Sequence, residues 1–431
     1  MRNLLSWVAV GAAAICLAAV FPDASRSQDW TRDWTAAKNE LAQKGITPSV
    51  IYEGDVFSNL AGGARSGSAY IGNLYLELSL DGQRLLNAQG LTAFISGLGT
   101  HGGQPGAFAG DAQGVSDMSA PTDFRLYEAW VQQNSFDHRF SILAGRYDLN
   151  MEFYRLTSAG LFLNSSFGVG PELGHTGVAG PSIFPSTSVG VRFEYKPAPN
   201  IVVRTAVLDG VPIDRPDGSI GAFKSNDGLL IVSEAAFLDR PEPNERQQNV
   251  RFRVGRVSGS LTHDDKIAFG GWYYTATFND LSTLDAQGNP ARRQGNGGAY
   301  MIVERVLVHA QNDSKRRLSG FVQMGIGDER VNRFGSYFGS GLVATGVFHD
   351  RPVDEFGFAF ALANNGSHYL NAQQIRQVPT TRSEMALELT YLAQITKSFA
   401  IQPDIQYVMN PNTDPSLRSA LVFQLRFEVS F

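Results

Sequence analysis

Beyond residue 21 the chain has no apolar run approaching the ~20 residues that a membrane-crossing helix requires, so it is not a helical membrane protein. It has one cysteine, Cys16, which lies inside an apolar N-terminal stretch. Its seven histidines are scattered, with no close His or acidic spacing of the kind that holds a metal. No Gly-x-Ser-x-Gly nucleophile elbow is present: Gly255-Arg-Val-Ser-Gly259 and Gly335-Ser-Tyr-Phe-Gly339 do not match it. Basic residues are not in excess either, 36 against 41 acidic, for a net charge of −5. That balance argues against nucleic acid as a partner. No catalytic residue, metal or cofactor is expected, and the chain does not read as an enzyme.

The N-terminus points to export. Arg2 precedes an uncharged apolar stretch, Leu4 to Phe21, which Pro22 breaks. Ala24-Ser-Arg-Ser27 then offers small residues for cleavage. With no stop-transfer pattern behind it, this reads as a cleaved secretory signal over residues 1–27 rather than a retained anchor. Its loss would take Cys16 with it, leaving neither disulfide nor thiolate chemistry. The expected organisation is then an N-terminal helical segment over 28–48 and one β domain over 49–431. The helix is expected across Asp33–Lys44, with Gly45 as its C-terminal cap.

What the sequence has in abundance is alternation. In Leu421-Val-Phe-Gln-Leu-Arg-Phe-Glu-Val-Ser-Phe431, Leu421, Phe423, Leu425, Phe427, Val429 and Phe431 fall on one face of a strand. Gln424, Arg426, Glu428 and Ser430 fall on the other. Tyr70–Leu80, Ser188–Lys196, Glu384–Tyr391 and Phe399–Met409 repeat the pattern, with charged residues on the polar face. Lys266–Phe278 places Trp272, Tyr274 and Phe278 together. A strand of about 9–11 residues with one apolar and one polar face suits a closed barrel between lipid and an aqueous lumen.

Connections alternate in length. Asn134–Asp137, Pro197–Asn200, Asp350–Val353 and Thr396–Ser398 are short; Gly99–Asp123, Asp148–Thr187, Leu281–Gly297 and Asn364–Arg382 are long and rich in Gly, Asn and Asp. Short turns at one end and long loops at the other fit an outer-membrane barrel. About seventeen runs can be counted, and the two phases collide between Asp209 and Leu261. Either Gly228–Phe237 or Asn249–Gly259 is then loop or a bent continuation, leaving sixteen strands. Pro403, inside a run, is expected at a bulge or a strand start.

At this point the chain resembles the carbohydrate-selective outer-membrane porins of the OprB type. The motifs are Tyr52-Glu-Gly-Asp55, Asn59-Leu-Ala-Gly-Gly63, Leu126-Tyr-Glu-Ala-Trp130, Ala144-Gly-Arg-Tyr-Asp-Leu-Asn150, Gly190-Val-Arg-Phe193, Gly228-Leu-Leu-Ile-Val-Ser-Glu234 and Gln402-Pro-Asp-Ile-Gln-Tyr407, in that order. The resemblance implies a sixteen-stranded barrel in the bacterial outer membrane that conducts mono- or oligosaccharides passively. Selectivity then needs a constriction, and Asp148–Thr187, the longest loop, is the candidate to fold inward. The resemblance also implies that Phe431 belongs to a signal read by the outer-membrane insertion machinery. Lipid is the expected surroundings, and a homo-oligomer is compatible with the sequence.

Glu128, Arg192, Glu194 and Glu234 are expected to face the lumen, since Arg facing lipid at midplane costs about 2–4 kcal/mol. Arg146, Asp148, Asn150 and Arg155, at the start of the long loop, are candidates for sugar contact. Both charge signs occur there together with Glu152, a mixture suited to a neutral polyhydroxylated solute. The loop aromatics Phe153, Tyr154, Phe162 and Phe167 read better as anchors to the barrel wall. A general porin, an adhesive or structural barrel, and a secreted lectin-like β protein are the competing readings.

Overall fold

A computed structural model describes residues 27–135, 137–212, 223–224, 226–240, 265–310 and 313–431. A helix, Ser27–Gln43, leads through Gly45, whose φ of +91° suits a residue without a Cβ, into the first strand. Strand β1 (Ile46–Ala61) begins three residues before the boundary expected from sequence. There follow β2 (Gly67–Asp81), β3 (Leu91–Gly102), β4 (Asp123–Asn134), β5 (Phe140–Tyr147), β6 (Ser188–Ala198), β7 (Ile201–Asp209) and β8 (Leu229–Leu238). The second half comprises β9 (Lys266–Leu284), β10 (Pro290–Ala310), β11 (Asp313–Gly327), β12 (Phe334–Thr345), β13 (Glu355–Asn365), β14 (Ser383–Thr396), β15 (Phe399–Met409) and β16 (Ala420–Ser430).

Each strand pairs antiparallel with its sequence neighbours, and β1 pairs with β16 to close a sixteen-stranded barrel. Closure leaves no sheet edge unpaired, the condition for crossing a bilayer with strands. The seam runs from Ile51↔Ser430 to Ala61↔Leu421. It is tied at its lower end by Phe431 N to Val50 O at 2.9 Å, and Lys38 Nζ of the helix donates to Phe431 O at 3.1 Å. The N-terminal helix and Phe431 therefore lie at one end of the barrel.

The alternation is realised inside out. On β4 the apolar Leu126 and Val131 are 48% and 49% exposed on the outer surface, while Glu128 is 1% exposed in the interior. The same inversion holds on β16, where Leu425 is outward and Gln424 and Arg426 are buried.

Two local expectations change and two open points are resolved. Gly228–Phe237 is barrel strand β8; Asn249–Gly259 lies outside the described residues. Leu281–Gly297 is not a loop: β9 and β10 run on as a two-stranded ribbon through a turn at 285–289. Asp285 makes that turn by accepting from the N–H groups of Gln287 and Asn289, both at 2.9 Å, while Gly288 takes φ +80°. Pro403 is at neither a bulge nor a strand start. It sits mid-strand on β15 opposite Leu425, and pairing to β14 holds one register on either side of it. Finally, Trp272 and Tyr274 of β9 point inward and are buried. Period two assigns faces but does not say which face meets lipid when both are apolar, and here the interior supplies apolar partners of its own.

A candidate solute path between two infolded loops

Those partners come from residues 148–187, which fold into the barrel. Phe153, Tyr154, Leu156, Leu161, Phe162, Phe167 and Leu173 of this loop form one buried cluster with Trp272, Tyr274, Tyr300, Phe321 and Tyr337 of the wall. Tyr154 and Tyr300 have ring centroids 4.4 Å apart, and Phe162 lies 5.7 Å from Phe321.

Polar groups on the wall match the polarity of the loop backbone. Loop N–H groups meet carboxylates: Tyr154 N to Glu234 Oε2 at 2.9 Å, Ser158 N to Glu304 Oε2 at 2.9 Å, and Leu163 N and Asn164 N to Glu388 at 2.5 and 3.0 Å. Loop carbonyls meet carboxamides: Gln402 Nε2 to Leu161 O at 2.7 Å and Gln323 Nε2 to Phe167 O at 2.9 Å. Buried backbone groups need such partners.

Residues 103–122, most of the long connection expected over Gly99–Asp123, fold inward as well. Glu384 accepts from Ala112 N and Gln113 N at 2.8 and 2.9 Å, and Gln406 and Gln424 both donate to Val115 O at 2.8 Å. The two loops join through Ser165 N to Gly114 O at 2.8 Å.

Between these loops and the wall around β1, β2 and β4 remains a cavity of about 440 Å³. Its lining includes Asp148, Asn150 and Arg155, three of the eight pore residues expected from sequence. An aromatic strip borders it: Tyr75 and Tyr127 have centroids 6.4 Å apart, and Tyr127 and Phe184 also 6.4 Å. Tyr127 donates to Asp148 Oδ2 at 2.6 Å, and Asn150 N donates to Asp148 Oδ1 at 2.8 Å.

The other five expected residues face inward but lie off this lining. Glu128 accepts from Asp148 N at 2.7 Å and Trp130 Nε1 at 3.2 Å. Arg146 donates to Thr187 Oγ1 at 2.7 Å. Arg192 grips Glu152 with two bonds of 2.9 Å and also reaches Ser141 and Gln132. Glu194 accepts from Arg204 Nε at 2.6 Å, and Glu234 accepts from Tyr154 and Tyr300.

The mixed-charge cluster read from 146–155 is therefore not assembled at the cavity, since Arg146 and Glu152 are taken up by the wall. Glu53, Glu77, Asp117 and Glu428 line it instead, on β1, β2, the 103–122 loop and β16. Asp117 is bridged to Arg426 at 2.8 Å. Glu53 and Glu428 stand directly opposite each other across the seam. That register follows from strand pairing and was out of reach of a linear reading.

A closed sixteen-stranded barrel with an apolar belt, a polar interior and an infolded loop narrowing the lumen defines a porin. The family model for carbohydrate-selective porins of the OprB family matches residues 65–431, and the chain belongs to that family. It is 23% identical to Porin B of Pseudomonas aeruginosa, over 93% of this chain and 90% of that protein. In structure it is similar to the high-pH form of OprB from Pseudomonas putida, with a TM-score of 0.79, 22% identity and coverage of 93% and 97%. The low-pH form gives a TM-score of 0.57 at 18% identity, with the same coverage. The chain is thus a sugar-selective porin of the bacterial outer membrane.

Proposed function

We propose that sugars cross this barrel through the cavity between the two infolded loops, by diffusion and without catalysis. Asp148, Asn150 and Arg155 supply hydrogen bonds to sugar hydroxyls, and Tyr75, Tyr127 and Phe184 offer ring surfaces to sugar C–H faces. One observation carries the reading: the aromatic strip and these three polar residues border the same cavity. Binding must stay weak for a solute to leave, so affinity is of millimolar order, about −4 kcal/mol. Carboxylates outnumber Arg155 on the lining, so the open channel favours cations over anions.

The test is sugar block of ion current in single channels. Arg155→Ala and Tyr75→Ala are expected to weaken block by glucose several-fold while conductance persists, and Arg155→Ala to shift ion preference further toward cations. Unchanged block in both variants would remove the cavity from the sugar path. Glu128, Arg146, Arg192, Glu194 and Glu234 act at one remove, by holding the loop and wall that frame it. Phe431 serves assembly through the insertion machinery, with lipid around the barrel.

A further inference from the structure

Arg155 is the one arginine or lysine among the described residues of the cavity lining, and its guanidinium donates to Met151 O at 3.1 Å. The backbone on either side of it is held to the wall. Before it, Tyr154 N donates to Glu234 Oε2 at 2.9 Å. At Arg155 itself, Lys266 Nζ donates to the carbonyl oxygen at 3.0 Å and bridges to Glu234 Oε1 at 3.2 Å. After it, Glu304 accepts from Thr157 N at 3.1 Å, Ser158 N at 2.9 Å and Ser158 Oγ at 2.5 Å. Glu304 and Lys266 are paired across β10 and β9.

We infer that Glu304, together with the Glu234–Lys266 pair, is a positioning device for sugar recognition: it holds residues 154–158 so that Arg155 projects into the path, without touching solute itself. The burial of these acids supports this. Glu304 is 3% exposed and Glu234 2%, and neither borders the cavity. Three donors converge on Glu304, two of them N–H groups of consecutive residues. This leaves its carboxylate committed to the loop, whereas a sugar ligand needs an acceptor open to the lumen. Charge-assisted bonds of this kind are stronger than neutral ones and carry geometric specificity. An apolar anchor such as Phe162 holds the loop against the wall but does not set the rotation of residues 154–158 about their own axis; a fork on adjacent N–H groups does.

The inference rests on Arg155 being a sugar contact, and the experiment separates the two claims. Single-channel block by glucose is measured for Arg155→Ala, Glu304→Ala, Glu304→Gln and the double variant Arg155→Ala/Glu304→Ala. Glu304→Ala is expected to raise the half-blocking concentration roughly five- to tenfold. In the Arg155→Ala background the same change is expected to add less than twofold, because the group being positioned is already gone. Glu304→Gln retains an acceptor and should recover part of the loss. If Arg155→Ala weakens block while Glu304→Ala does not, the positioning claim fails. It fails equally if the two effects multiply in full, since Glu304 would then act independently of Arg155. If Arg155→Ala itself leaves block unchanged, the proposed sugar contact fails first. Should Glu304→Ala not assemble, Lys266→Met and Glu304→Gln carry the same comparison: block weakened in wild type and unchanged in the Arg155→Ala background supports the device, and no weakening overturns it.

Discussion

At the residue scale, most of the interior charge of this porin is structural. Arg192 shows why. It faces the lumen, as alternation demands, yet its guanidinium is used up by Glu152, Ser141 and Gln132. Glu172, in the infolded loop beside Gly325 at the rim of β11, is the clearest case of a charge at odds with its surroundings. It is fully buried; Oε1 accepts from Tyr154 OH at 2.9 Å and Oε2 has no hydrogen-bond partner among the described residues. Burial pushes its carboxyl up to about 7. A carboxyl raised on folding binds its proton more tightly in the folded state, so its contribution is fully present below the ordinary carboxylate range. That contribution is lost as pH rises from about 4.5 to about 7. The thermal midpoint in detergent should fall across that window, and Glu172→Gln should flatten the slope. A midpoint equally pH-dependent in Glu172→Gln would assign the effect elsewhere. Residue identity alone showed that Glu128, Arg192, Glu194 and Glu234 point inward. It could not show what each one meets: Glu128 and Glu234 accept from loop N–H groups at Asp148 and Tyr154, Arg192 grips Glu152 of the same loop, and Glu194 accepts from Arg204 on the next strand.

At the scale of elements, strands were legible and loops only partly so. Period two marks a strand wherever one face is apolar, which is why β2, β6, β14, β15 and β16 stand out in the sequence. It fails at β9, where Trp272 and Tyr274 face a loop and Phe269 and Tyr273 face outward. It also fails for residues 281–297, whose Gly and Asn content hid an extended ribbon, latched by Asp280 to His368 and Arg293 at 2.9 Å each. The infolding of 103–122 left little signal, since its wall contacts depend on Glu384, Gln406 and Gln424 on other strands. Exposure follows from the fold and not from loop length. On the proposed orientation, with the N-terminal helix and Phe431 on the periplasmic side, single cysteines at Gln287→Cys and Gln374→Cys should react with a membrane-impermeant label on intact cells. Val115→Cys and Asn200→Cys should not. Strong labelling at Asn200→Cys would mean the barrel is inverted. The closing strand makes a second claim. Phe431 exchanges hydrogen bonds with Val50 at the seam, and its oxygen also accepts from Lys38. Deleting Phe431 should therefore lower the amount of assembled barrel far more than it alters conductance per channel, read by heat-modifiable mobility in outer-membrane fractions. Normal assembly would sink the idea.

At the scale of the whole molecule, sequence was enough for the class. Alternation without helical spans, an aromatic last strand and long loops at one end leave few architectures besides a closed barrel. Selectivity is where the linear reading fell short. A neutral, mixed-charge constriction was expected from 146–155, whereas folding sets Glu53, Glu77, Asp117, Asp148 and Glu428 on the same cavity lining as Arg155. These come from strands and loops at both ends of the chain, and only barrel closure brings them together. The central claim is that solute and ions pass through this cavity. Cys16 is the sole cysteine in the sequence, so in a Cys16→Ser background a cysteine placed on the lining can be addressed by itself. Met151 lies on that lining, next to Asn150. In single channels of Met151→Cys, a bulky charged thiol reagent should cut the open current irreversibly, and saturating glucose should slow that reaction. Modification that goes to completion with current and sugar block both unchanged would contradict the account, because the path would then lie elsewhere in the barrel.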